Sequence, residues 1–132
     1  MKNRPLRERI GFALAGLGEG WRRERSLRTH TAFAVLAVVA LLILRPAPIW
    51  WAVFGLVIAL VIAFELVNSA LEGLIDLLHP AIHPEIKVIK DMAAGAVLAL
   101  SLAALVVAAA MVVDSLQQRG VIAHISHLVG AD

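Results

Sequence analysis

Residues 92–113 read MAAGAVLALSLAALVVAAAMVV, an apolar run without one charged side chain. A helix of about 20 such residues is long enough to cross the hydrocarbon core of a bilayer. A soluble chain of 132 residues offers no interior in which a helix apolar on every face could be hidden. The run therefore sets the class: the chain reads as all-α and integral to a membrane. Composition agrees. With 61% hydrophobic and 17% charged residues there is too little charge to coat a soluble domain, and what charge there is gathers at a few places.

Working back from that run, residues 79–84 (HPAIHP) interrupt helix, because each proline lacks a backbone donor and disfavours helix in its predecessor. A second uncharged run fills 49–64, and a helix through it continues past Glu65 towards Leu78. Arg45, Pro46, Ala47 and Pro48 make a tight break ahead of it, and Trp50 and Trp51 suit the aromatic belt of an interface. A first apolar run, 31–44, reaches crossing length only by recruiting its ends at Leu27 and Trp50. The expected spans are about 28–48, 49–70 and 92–113.

Further back, Leu6, Ile10, Leu14, Leu17 and Trp21 recur at steps of three and four, which predicts an amphipathic surface helix over about 5–25. Lys2, Arg4, Arg7, Arg9, Arg22, Arg23, Arg25 and Arg28 precede the first apolar run and mark the cytoplasmic side. A nucleic-acid patch is the weaker explanation of these charges, since interleaved aromatics are few and the rest of the chain is lipid-soluble, so no nucleic-acid partner is expected. Three spans then put the N-terminus inside and the C-terminus outside.

Residues 114–132 read as an external tail of unassigned role, in which Val121, Ile122, Ile125, Leu128 and Val129 are spaced as a short amphipathic helix. His124 and His127 lack a carboxylate or cysteine partner and are given no metal role. No secretory signal is expected, because the first apolar run is followed by Arg45 and prolines rather than a small-residue cleavage site. The absence of cysteine excludes disulfides and thiolate chemistry.

Chemistry concentrates where the second run ends. Glu65, Asn68, Glu72 and Asp76 follow at steps of three, four and four, so three carboxylates and an amide share one helical face. Ser69, Ala70 and Gly73 beside them let another helix approach closely, which turns the stripe towards protein rather than lipid. The plainer explanation is a polar helix end leaving the membrane. Lys87, Lys90 and Asp91 stand just ahead of the third span, on the same side. A magnesium nucleotide needs carboxylates that hold the metal and a lysine that neutralises phosphate. Interface anchoring would account for the lysines but not for Asp91. Glu24, embedded among Arg22, Arg23, Arg25 and Arg28, is either a surface ion pair or a further metal ligand, and both stay open on these grounds. No glycine loop ending in Lys and Ser or Thr is present, and protein-kinase, zinc-protease and nucleophile-elbow patterns are missing too.

ELVNSALEGLID (65–76), KDMAAGAVL (90–98) and WRRERSLRTH (21–30) together resemble the prokaryotic diacylglycerol kinase and undecaprenol kinase family. The likeness runs from about Leu6 to Val113, so 1–113 reads as one membrane lipid-kinase domain. It implies a homotrimer of three-span chains in the bacterial cytoplasmic membrane, with a surface helix before the spans and cytoplasmic active sites shared between neighbouring subunits. It implies Glu65 as the general base for the lipid hydroxyl and Glu24 and Glu72 as ligands of the Mg2+ that accompanies ATP. It also implies Asn68, Asp76, Lys90 and Asp91 lining the site, Ala81, Ile82 and His83 contacting the nucleotide, and Phe12 where tyrosine is common. His30 and Ala94 depart from the diacylglycerol branch, where an acidic residue and a serine are usual, and 25–30 and HPEIK (83–87) look closer to the undecaprenol branch.

Diacylglycerol phosphorylation is the expected reaction, on Met92 and the family label, with undecaprenol phosphorylation as the alternative. A proton or ion carrier built on Glu65 would need an isolated acid near mid-span, and an inactive structural protein would not need every polar position filled.

Overall fold

The computed structural model describes residues 4–79 and 83–129, with backbone alone for 121–129. Ala81 and Ile82, two of the expected nucleotide contacts, lie outside the described residues, as do the side chains of His124 and His127. Four helices follow one another: α1 (Leu6–Arg23), α2 (Arg25–Leu44), α3 (Pro48–Leu78) and α4 (Pro84–Val129). The last three contain segments long and apolar enough to cross a membrane.

α1 carries Glu8 in its first turn and Arg22 and Arg23 in its last, charges that oppose the helix dipole at each end. Glu19 bonds Arg23 and Arg22 along the helix, and the Arg23 hydrogen bond is the first cause holding its carboxyl below the usual range. No residue of α1 is buried, and its apolar face, Leu6, Ile10, Leu14, Leu17 and Trp21, is exposed in the single chain.

The chain turns at Glu24, extended at φ −98° and ψ 118°, whose N–H donates to Gly20 O at 2.8 Å. Arg28 Nη1 donates to the carbonyls of Trp21 and Arg22, both at 3.0 Å, and so satisfies the open end of α1 from the first turn of α2. Gly20 is the point of close approach: a Cβ would stand 2.6 Å from Leu66 Cδ2 on α3 and 3.3 Å from Leu27 Cδ2 on α2.

α2 stops where Arg45 takes a left-handed conformation, φ 47°, its N–H returning to Leu41 O at 2.9 Å. Pro46 cannot extend the helix, and Pro48 starts α3 at a position where its missing N–H costs nothing. Leu41, Phe54 and Met111 form the buried centre, with Ala37, Trp50 and Ala108 against them. At this end Trp50 Nε1 donates to Asp114 Oδ2 at 2.8 Å, Gln118 Nε2 donates to the same oxygen at 2.9 Å, and Arg119 Nη2 donates to Leu44 O at 3.1 Å.

α3 has 31 residues, so at about 1.5 Å per residue it is longer than the roughly 30 Å hydrocarbon core. It ends at Leu78, as the sequence pattern leads one to expect. The tail differs from expectation. Instead of a separate short helix over 121–129, α4 runs unbroken through 114 to Val129. Nothing between 113 and 120 breaks helix, and Asp114, which would strand a charge at the end of the span, is held by Trp50 and Gln118.

Candidate functional site

The polar stripe occupies the end of α3 opposite the Trp50–Asp114 contact. Lys90 Nζ reaches across from α4 to Asp76 Oδ1 at 2.9 Å, joining the two clusters that the sequence placed on one side. Lys87 Nζ binds Asp91 Oδ2 at 3.2 Å one turn along α4. Asn68 Nδ2 donates to Glu72 Oε1 at 2.9 Å, which leaves the buried Asn68 Oδ1 without a partner. Glu65 and Asp76, eleven residues apart on α3, are separated by about 16 Å along the helix axis. The stripe is thus an elongated strip rather than a single cluster.

Glu65 is the buried member, 2% exposed. A carboxylate in such a place needs hydrogen bonds to offset its lost hydration. α2 supplies them. Ser26 Oγ donates to Glu65 Oε2 at 2.8 Å, and His30 Nδ1 lies 2.6 Å from Oε1, off the line that a ring N–H bond would take. The other ring nitrogen, Nε2, is 3.1 Å from Ser101 Oγ on α4. Three helices therefore meet at the carboxylate through Ser26, His30 and Ser101.

His30 and Ser101 also line one end of an apolar cavity of about 430 Å³ between α2, α3 and α4, whose far end is formed by Ala40, Phe54 and Met111. From His30 to Ala40 the cavity follows α2 for about 15 Å, half the thickness of a hydrocarbon core.

The remaining expected residues are placed less centrally. The Glu24 carboxylate is half-buried at the α1–α2 turn and makes no hydrogen bond or ion pair among the described residues. Phe12 is exposed on α1 with the Arg4 guanidinium 5.7 Å from its ring centre. His83 Nδ1 accepts the Glu85 N–H at 3.2 Å and caps α4. Among the described residues no three His, Asp or Glu side chains converge as a ready metal cage. Mg2+ bound with a nucleotide does not require one, since it takes one or two carboxylates, phosphate oxygens and water.

Ser26 and Ser101 carry no weight in the sequence analysis, and His30 enters there only as a departure from a family pattern. Two signals pointed to them: Ser26 and His30 are four apart, on one face of α2, and Ser101 is the lone hydroxyl in 92–113.

Three membrane-length helices, with a strip of carboxylates along the end of one of them, a lysine reaching it from the next, and an apolar cavity lined at one end by His30, define a helical membrane protein with a polar strip at one end. Residues 11–112 match the model of the family described as prokaryotic diacylglycerol kinase, and the chain belongs to that family. It is 36% identical over 106 residues to a diacylglycerol kinase of Synechocystis sp., covering 80% of this chain and 61% of that protein. It is 35% identical over 82 residues to an undecaprenol kinase of Bacillus subtilis, covering 62% of this chain and 67% of that protein.

Proposed function

We propose that this chain is an ATP-dependent lipid kinase that moves the γ-phosphate of ATP to the hydroxyl of diacylglycerol, giving phosphatidic acid. The observation that carries this is the juxtaposition at Glu65: a buried carboxylate at the polar end of α3, touching the residue that closes an apolar cavity of leaflet depth. A lipid tail lying in that cavity has its hydroxyl directed at Glu65.

Phosphoryl transfer asks the protein for position and charge neutralisation. Glu65 takes the hydroxyl proton as general base. Lys90, with Asp76 holding its ammonium in place, faces the phosphates, and Asp91 lines the same end. Glu24, whose carboxylate has no partner among the described residues, and Glu72 would hold the Mg2+ that accompanies ATP, and Asn68 Oδ1, also without a partner among the described residues, would add an oxygen donor beside Glu72. Bound there, Mg2+ neutralises phosphate charge. Phe12 and the connector carrying Ala81, Ile82 and His83 are assigned to the nucleotide.

The working form is a homotrimer with sites shared between neighbouring subunits, in the bacterial cytoplasmic membrane. The stripe faces the cytoplasm and α1 lies along that surface with its exposed apolar face in the lipid. Undecaprenol is the second candidate substrate, favoured by His30 at a position that is acidic in the diacylglycerol branch. Presenting labelled MgATP with diacylglycerol or undecaprenol separately in mixed micelles decides between them. Labelling of diacylglycerol supports the first assignment, labelling of undecaprenol the second, and labelling of neither lipid by a folded protein removes the kinase assignment.

A further inference from the structure

From the shape and lining of the cavity between α2, α3 and α4 we infer that it seats a single hydrocarbon chain of the lipid substrate, and that its blind end at Ala40, Phe54 and Met111 sets the preferred chain length. The inference rests on the lipid-kinase reading and adds to it a determinant of substrate choice.

α2 and α4 each pack against α3 and hardly against each other, so α3 forms the back of the cavity and the gap between α2 and α4 its mouth. The lips of that gap, Phe33 and Leu36 on α2 and Leu105 and Val112 on α4, are exposed in the single chain. A lipid tail can slip sideways through it from the bilayer without leaving hydrocarbon.

Polarity and size select the occupant. His30 and Ser101 bring the only polar atoms to the lining, both at one end, and Ser101 Oγ is already shared between Val97 O and His30 Nε2. Every other lining residue is apolar, so neither water nor a headgroup finds a partner deeper in. Spread over about 15 Å from His30 to Ala40, the volume of about 430 Å³ averages about 30 Å² in cross-section, too narrow for a helix about 10 Å across. A chain of about 1.5 Å bonds at tetrahedral angles advances about 1.25 Å per carbon, so about 12 carbons fill that length. An apolar cavity of about 150 Å³ accepts a six-carbon ring, which gives this one room for about 17 carbons. That is enough for one such chain and short of two, so the second chain of a diacylglycerol stays in the bilayer.

The blind end is firm. Leu41, Phe54 and Met111 form the buried centre beside Ala37 and Ala108, and beyond them the Trp50–Asp114 and Arg119–Leu44 hydrogen bonds tie α4 to α3 and to α2. A longer chain must bend out through the gap and lose its packing on the walls. Since the tail is surrounded by hydrocarbon wherever it lies, fit rather than burial does the discriminating.

The test is a series of diacylglycerols with two equal chains of about 8 to about 18 carbons, presented with MgATP in mixed micelles to the full chain and to Ala40→Leu, Ala108→Leu and Ala109→Leu. Wild-type kcat/KM should peak near about 12 carbons. Leu at 40 or 108 fills the last turn of the seat, about 5 Å, so the peak should move to about 8 carbons. The ratio of kcat/KM for the 12-carbon over the 8-carbon substrate should fall about 10-fold. Ala109 is exposed on the same turn of α4 and does not line the cavity, so Ala109→Leu should keep the wild-type profile. Each ratio is taken within one protein, so a smaller folded fraction cancels. A wild-type rate indifferent to chain length, an unchanged profile in Ala40→Leu and Ala108→Leu, or the same shift in Ala109→Leu overturns the inference while labelled lipid leaves the kinase reading standing. If folded wild type labels no diacylglycerol of any length, the diacylglycerol reading fails and the inference falls with it.

Discussion

Glu65 is buried, and Ser26 donates the one well-aligned hydrogen bond to its carboxyl group. Ser26→Ala should cost about 1–3 kcal/mol of stability, the usual penalty for a buried acceptor left short of a donor. It should also lower kcat, and denaturant titration in micelles beside a kinase assay measures both. Lys90 is a different case. Its bond to Asp76 is solvent-facing, so Lys90→Ala should leave stability nearly unchanged while raising the KM for ATP. A stability loss without a KM change would make Lys90 a structural tie. At this scale the stripe of Glu65, Asn68, Glu72 and Asp76 was legible because helical spacing is written directly in one sequence. The His30–Glu65 and Ser101–His30 contacts were not, since they depend on how α2 and α4 are set against α3, and no periodicity encodes that register.

Among the elements, α1 is tied to the bundle where Gly20 meets Leu66 and Leu27. Ala at this position gains up to about 1 kcal/mol of helix propensity and needs only the end of Leu66 to swing aside, so Gly20→Ala should be close to neutral. Val adds branches that the buried Leu27 cannot yield to, and Gly20→Val should cost about 1–3 kcal/mol. Thermal unfolding of the two variants checks the contrast, and equal midpoints would mean that α1 is not packed as described. The three spans and the proline breaks at 45–48 were readable from hydrophobic runs and backbone chemistry. The continuation of α4 past 113 was not, because Asp114 looks like the end of a span until its partner Trp50, 64 residues away, is in view. Asp114→Ala should strand the indole N–H and lower stability by about 1–3 kcal/mol, with little effect on ATP affinity.

For the whole molecule, most of each span's surface is exposed in the single chain, including Phe33, Leu36, Leu60, Leu98 and Leu105. Lipid covers some of this surface, and in the proposed assembly neighbouring subunits cover the rest. Sedimentation in detergent should give the mass of three chains, and a monomer with full activity would remove the shared-site proposal. Chelation by EDTA should abolish phosphoryl transfer and added Mg2+ should restore it, because the site offers few groups of its own to neutralise a triphosphate. The central claim is that Glu65 is the base of a lipid kinase. It is tested most directly by γ-phosphate transfer from MgATP to lipid with the wild-type chain and Glu65→Gln, at matched oligomeric state. The expected result is labelled lipid with the wild type and a loss on the order of 10²- to 10⁴-fold with the variant. Equal turnover by the two, or no labelled lipid from the intact wild-type assembly, would contradict it.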